Sequence, residues 1–89
     1  MATICILGAL WFDKNNGNTY HNTKIKVIEN DNKSEYTTTY YTGKKYGYDN
    51  AYIESAHEYI KNVLHISDYK LIDMGAFYIP YRQLRNNQF

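Results

Sequence analysis

Ile4 to Phe12 is apolar at nearly every position and lacks the alternation of a half-solvated strand. A strand of this kind has to be covered on both faces. Asp13-Lys14-Asn15-Asn16-Gly17-Asn18 follows, a dense turn signal with Asn-Gly as its strongest pair. Tyr20 to Glu29 then alternates, with Thr23, Ile25 and Val27 on one side and Lys24 and Lys26 on the other. The two segments predict a β-hairpin with one buried face on its second strand. Asn30 to Lys33 is a second turn, and Glu35 to Thr42 is rich in Thr and Tyr, which suit a pleated, half-exposed surface.

The period changes after Gly43 to Tyr48, which reads as a loop. Asp49 is a candidate N-cap, and Tyr52, Ile53, Ala56, Tyr59, Ile60, Val63 and Leu64 recur at three- and four-residue spacing. The spacing predicts a helix from Asn50 to His65, with Glu54, Glu58, Lys61 and Asn62 outward. Tyr69 to Asp73 and Ala76 to Ile79 are short strand candidates on either side of Met74-Gly75, and Pro80 to Phe89 reads as a short helix or a tail. The expected fold is α+β: an antiparallel sheet of three to five strands with one helix packed on one face, in the order β-β-β-α-β(-β). Residues 1–89 make one small domain on this reading. One helix covers one face only, so the doubly apolar first strand predicts a homo-oligomer that covers the other.

Composition narrows the class. Ten Lys+Arg against nine Asp+Glu give a net charge of +1, too balanced for a basic nucleic-acid arm. Cys5 is the only cysteine, so no disulfide framework exists, and a small core residue in a reducing compartment is expected. The apolar N-terminal stretch lacks a basic leader and a small-residue cleavage site, which favours a cytoplasmic protein over a secreted one. No apolar run approaches the ~18 residues of a membrane span. Tyrosine is in excess, at 11 of 89 residues.

The candidate chemistry is sparse. His21, His57 and His65 with Cys5 have no metal-motif spacing, so no metal or other cofactor is expected. Ser34, Ser55, Ser67 and Cys5 lack a strained glycine-flanked elbow, and no phosphate-binding loop or dinucleotide fingerprint is present, so a non-enzyme is expected. Two segments stand out. Gly17 to His21 places Tyr20 and His21 beside a turn, and Lys44 to Tyr52 runs a glycine-containing loop into a helix start with two lysines and three tyrosines. Phosphate at the helix N-terminus and a base on a tyrosine would make a nucleotide pocket from Tyr20, His21, Lys44, Lys45, Tyr46, Tyr48 and Asn50. The carboxylate of Asp49 would compete with a phosphate at the cap itself.

Trp11-Phe12-Asp13-Lys14, Asn16-Gly17-Asn18-Thr19-Tyr20-His21 and Tyr46-Gly47-Tyr48 with Tyr52 carry a resemblance over roughly residues 11–64. The chain resembles a family of small uncharacterised phage and prophage proteins with a WFDK-x-NGNTYH hairpin and a YGY helix start. Asp49 stands where that pattern has Gly. The family has no assigned activity. The resemblance implies phage origin, and with it a role against host defence in the host cytoplasm. The leading expectation is a binding protein that sequesters a nucleotide-like host signal. Alternatives are a protein inhibitor of a host defence nuclease and a single-stranded nucleic-acid binder using Tyr36, Tyr40 and Tyr41 as stacking platforms.

Overall fold

Two long strands form the spine of the sheet: β1 (Ala2–Asp13) and β2 (Asn18–Asn30) pair antiparallel from Thr3↔Ile28 to Asp13↔Asn18. The computed structural model describes residues 2–30 and 34–89, so most of the turn expected at Asn30 to Lys33 lies outside the described residues. The hairpin turn closes as the Asn-Gly signal requires. Gly17 takes φ +68° and its N–H donates to the Asp13 carbonyl at 2.8 Å. The Asp13 carboxylate accepts from Asn15 N–H and Asn16 Nδ2, which holds its carboxyl below the usual carboxylate range.

β3 (Glu35–Tyr41) pairs antiparallel with β2, and β4 (Lys45–Tyr46) continues the same edge against the turn end of β2. The expected loop at 43–48 therefore contains a two-residue strand. α1 (Ala51–Asn62) follows, then β5 (Tyr69–Tyr78) and a short α2 (Tyr81–Arg85). The sheet order is β3-β2-β1-β5, with β4 beside β2. The α+β class and the element order are as the sequence predicts.

Two details of the sheet differ from expectation. β5 pairs parallel with β1, not antiparallel. The chain reverses at each of the four connections from β1 through β2, the β3–β4 edge and α1 to β5, so β5 returns in the direction of β1. The two expected short strands are also one. The register jumps from Ile6↔Asp73 to Gly8↔Ala76, so β5 carries one extra residue at Met74-Gly75. Gly75 sits there at φ +93° and donates its N–H to the Asp73 carboxylate at 2.8 Å. The bulge resets the side-chain alternation, which is why the pattern breaks in the sequence while the strand continues.

α1 lies on one face of the sheet. Ile4, Ile6, Ile25 and Val27 from the strands meet Tyr52, Ala56 and Ile60 from the helix. Gly8 is buried against the Tyr52 ring, where a Cβ would sit 2.6 Å from the nearest ring carbon. The Tyr52 hydroxyl crosses to β5 and donates to the Asp73 carboxylate, with both oxygens 2.9 Å away. Burial and that carboxylate push the phenol up to about 12. The helix is shorter than the predicted Asn50 to His65, because its Schellman-like end brings Leu64 N–H to the Tyr59 carbonyl and turns His65 to φ +56°. Asp49 is not the N-cap. It adopts φ +54°, and Asn50 takes the cap position without a side-chain cap bond.

The opposite face is covered by the chain's own C-terminus at the hairpin-turn end. Leu84 of α2 is fully buried there. Asn22 Nδ2 donates to the Leu84 carbonyl and to Asn87 Oδ1, while Asn22 Oδ1 accepts from Gly43 N–H. Phe89 meets Tyr41 and Phe77 edge-on. Further along, the face opens into a shallow groove of about 300 Å3 lined by Cys5, Leu7, Lys24, Lys26 and Met74. Cys5, expected in the core, is half-buried on that open part.

Candidate functional site

β2 and β4 bring the two segments singled out in the sequence into register, Tyr20 beside Tyr46 and His21 beside Lys45. The sheet then divides them. Successive strand residues point to opposite faces, so Tyr20 and His21 cannot line one pocket. His21 turns under α1 with Lys45 at its level, and Tyr20 turns toward α2 with Tyr46. Tyr48 and Asn50 stand exposed in the segment entering α1. The seven residues expected from the sequence to share one pocket are therefore divided between two separate clusters, with Tyr48 and Asn50 in neither.

The first cluster is aromatic. Trp11 stacks on Tyr20 with ring centroids 5.9 Å apart, and meets Tyr81 at 4.6 Å. Tyr46 sits edge-on to Tyr20 at 5.8 Å and keeps 63% of its surface exposed. Lys44 Nζ lies 5.0 Å from the Tyr20 ring and 5.3 Å from the Tyr81 ring, and the Arg85 guanidinium covers Tyr81 at 5.5 Å. The sequence pointed to Tyr20, Tyr46 and Lys44. It had no signal for Tyr81 and Arg85, which come from a polar tail and reach the site only because Leu84 anchors α2.

The second cluster is polar and buried. His21 is 1% exposed. Its Nδ1 is 3.1 Å from the Gly47 carbonyl, and its Nε2 is 2.6 Å from Ser55 Oγ. A carbonyl only accepts, so Nδ1 carries the ring proton. Nε2 of the neutral ring then accepts the Ser55 hydroxyl proton. Burial, the leading cause, lowers the affinity of the ring for a second proton, and nearby Lys45 acts in the same direction. Gly47 is at φ +141°, and a Cβ there would lie 2.7 Å from the Ala51 Cβ and 3.3 Å from His21 Cε1. Only glycine delivers its carbonyl to the ring at that spacing. Ser55 is half-buried on the wall of a cleft of about 200 Å3 that Lys45, Glu58, Tyr59 and Asn62 also line.

His57 and His65 are exposed, and His57 Nδ1 meets the Tyr69 hydroxyl at 2.5 Å. Among the described residues no three His, Cys, Asp or Glu side chains are grouped as a metal ion requires. Tyr40 packs on Tyr59 across the helix side, and Tyr41 packs on Phe89 across the other. Tyr40 and Tyr41 are thus on opposite faces of the strand. Among the described residues no helix is long and apolar enough to cross a membrane. Compared with family models, with curated proteins and with solved structures, the chain finds no match.

Proposed function

We propose that the chain is a binding module that holds a nucleotide-like anion on the aromatic surface at the turn end of the hairpin. Tyr46 and Tyr20 offer the stacking faces, and Lys44 and Arg85 offer the charge for a phosphate. One observation carries this reading: two cations lie within 5.5 Å of aromatic rings, beside a tyrosine that keeps 63% of its surface in solvent. A cation–π contact at an exposed site is worth only about 0.5–1 kcal/mol, so Lys44 can leave its rings for a phosphate at small cost. A base stacked on an aromatic side chain contributes about 1–3 kcal/mol, which exceeds that cost. Sequestration of a host nucleotide signal by a phage protein is the setting in which such a module would act.

Titration calorimetry and thermal-shift measurements with cyclic dinucleotides and ADP-ribose derivatives test this. Saturable binding is expected, with quenching of Trp11 fluorescence, loss in Tyr46→Ala and weakening in Lys44→Ala. Absence of binding across that panel, or binding unchanged in both variants, refutes the proposal.

A protein partner is the second reading. It is favoured by the open half of the sheet face, where Ile72 and Met74 are exposed beside half-buried Leu7. A second copy of the chain is the simplest occupant. Light scattering at micromolar concentration that gives the 10.5 kDa of one chain argues against it.

A further inference from the structure

We propose that Ser55 is a nucleophile for acyl transfer, with His21 as its general base and the Gly47 carbonyl as the group that orients the imidazole. This site lies under α1, on the other face of the sheet from the aromatic cluster, and does not depend on the function proposed above. It also departs from the expectation of a non-enzyme.

Three independent features converge. The first is the pairing itself: Ser55 Oγ is 2.6 Å from His21 Nε2, within the reach that a nucleophile and its base need. The second is the orientation of the base. The Gly47 carbonyl 3.1 Å from Nδ1 fixes the tautomer that leaves Nε2 able to take a proton. Burial favours the neutral ring. The third is access. Ser55 is half-buried on the wall of the 200 Å3 cleft, the approach a substrate carbonyl would use.

The cleft also indicates the substrate class. Its volume suits a short acyl group. Lys45 and Glu58 line it with one charge of each sign, which favours an uncharged ester over a strongly ionic one. Lys45 and Asn62 on its wall carry side-chain N–H groups, the type of donor an oxyanion needs. In the reaction, Ser55 Oγ bonds to the ester carbonyl carbon as its proton passes to His21 Nε2. The tetrahedral oxyanion collapses, the bond to the leaving alcohol breaks, and the alcohol oxygen takes the proton from Nε2. Water then attacks the acyl-serine by the same proton route, releasing a carboxylic acid and restoring the hydroxyl.

The test uses the whole chain and a small fluorophosphonate, read by intact mass and peptide mapping. A single adduct on Ser55 is expected, absent in Ser55→Ala and absent after unfolding in urea. His21→Gln should slow labelling by about 100-fold or more, the usual contribution of a positioned base. Where that variant does not fold, Ser55→Cys in a Cys5→Ala background carries the test. Its thiol should alkylate at mildly acidic pH, where an ordinary thiol of pKa about 8.5 is protonated and slow. Lack of an adduct, adducts spread over other hydroxyls, labelling unchanged in His21→Gln, or an ordinary thiol profile each overturns the assignment.

Discussion

Gly47→Ala is the most informative single change, because one carbonyl links the backbone to His21 and through it to Ser55. Two costs add. At φ +141° the residue occupies a region that side-chain-bearing residues adopt only under strain, about 1–3 kcal/mol. The new methyl would also lie 2.7 Å from the Ala51 Cβ, a contact that must be relieved by moving the start of α1. Overpacking of this kind adds about 1–3 kcal/mol. The sum is about 2–6 kcal/mol, set against a total stability of roughly 4–13 kcal/mol for a chain of this length. Gly17→Ala is the matched control. Its φ is +68°, but nothing stands within 4 Å of the added Cβ, so it bears only the left-handed cost of about 1–2 kcal/mol. Urea unfolding followed through the single tryptophan, Trp11, measures both. The expected result is a larger loss in Gly47→Ala than in Gly17→Ala. Equal losses would refute the argument that Gly47 is required for close approach to His21 and Ala51.

Other expectations follow from the same geometry. His21 holds a second proton less readily when folded than its ordinary value of 6.5, so the unfolded chain takes up that proton first as pH falls. Its stabilising contribution is therefore complete above pH 6.5 and is lost below it, and His21→Gln should flatten this part of a urea-midpoint-versus-pH curve. Tyr52 should titrate at about 12 by ultraviolet absorbance, with that step missing in Tyr52→Phe and moved downward in Asp73→Asn. Leu84→Ala should cost about 2–5 kcal/mol, as for a fully buried leucine, and lower the thermal midpoint although it lies five residues before Phe89, the last of the sequence. A change below about 0.5 kcal/mol would mean that the C-terminal segment does not seal the sheet face.

Local periodicity in the sequence was enough to place the hairpin, the third strand and α1, because each is set by short-range alternation or by helical spacing. The same logic identified Ile4, Ile6, Ile25, Val27, Tyr52, Ala56 and Ile60 as positions with a buried side. Only the tertiary structure decided that β5 runs parallel to β1, because side-chain alternation is the same in either direction. It also decided that Tyr69 to Tyr78 is one bulged strand, since an inserted residue erases the period that would reveal it. The candidate site was legible in part. Tyr20, Tyr46 and Lys44 do meet, but adjacency in sequence hid the fact that Tyr20 and His21 face opposite sides. The pairing of His21 with Ser55 had no local signal at all. The two residues are 34 apart in sequence, one on a strand and one on a helix, and the hydrogen bond between them exists only where α1 packs across the sheet.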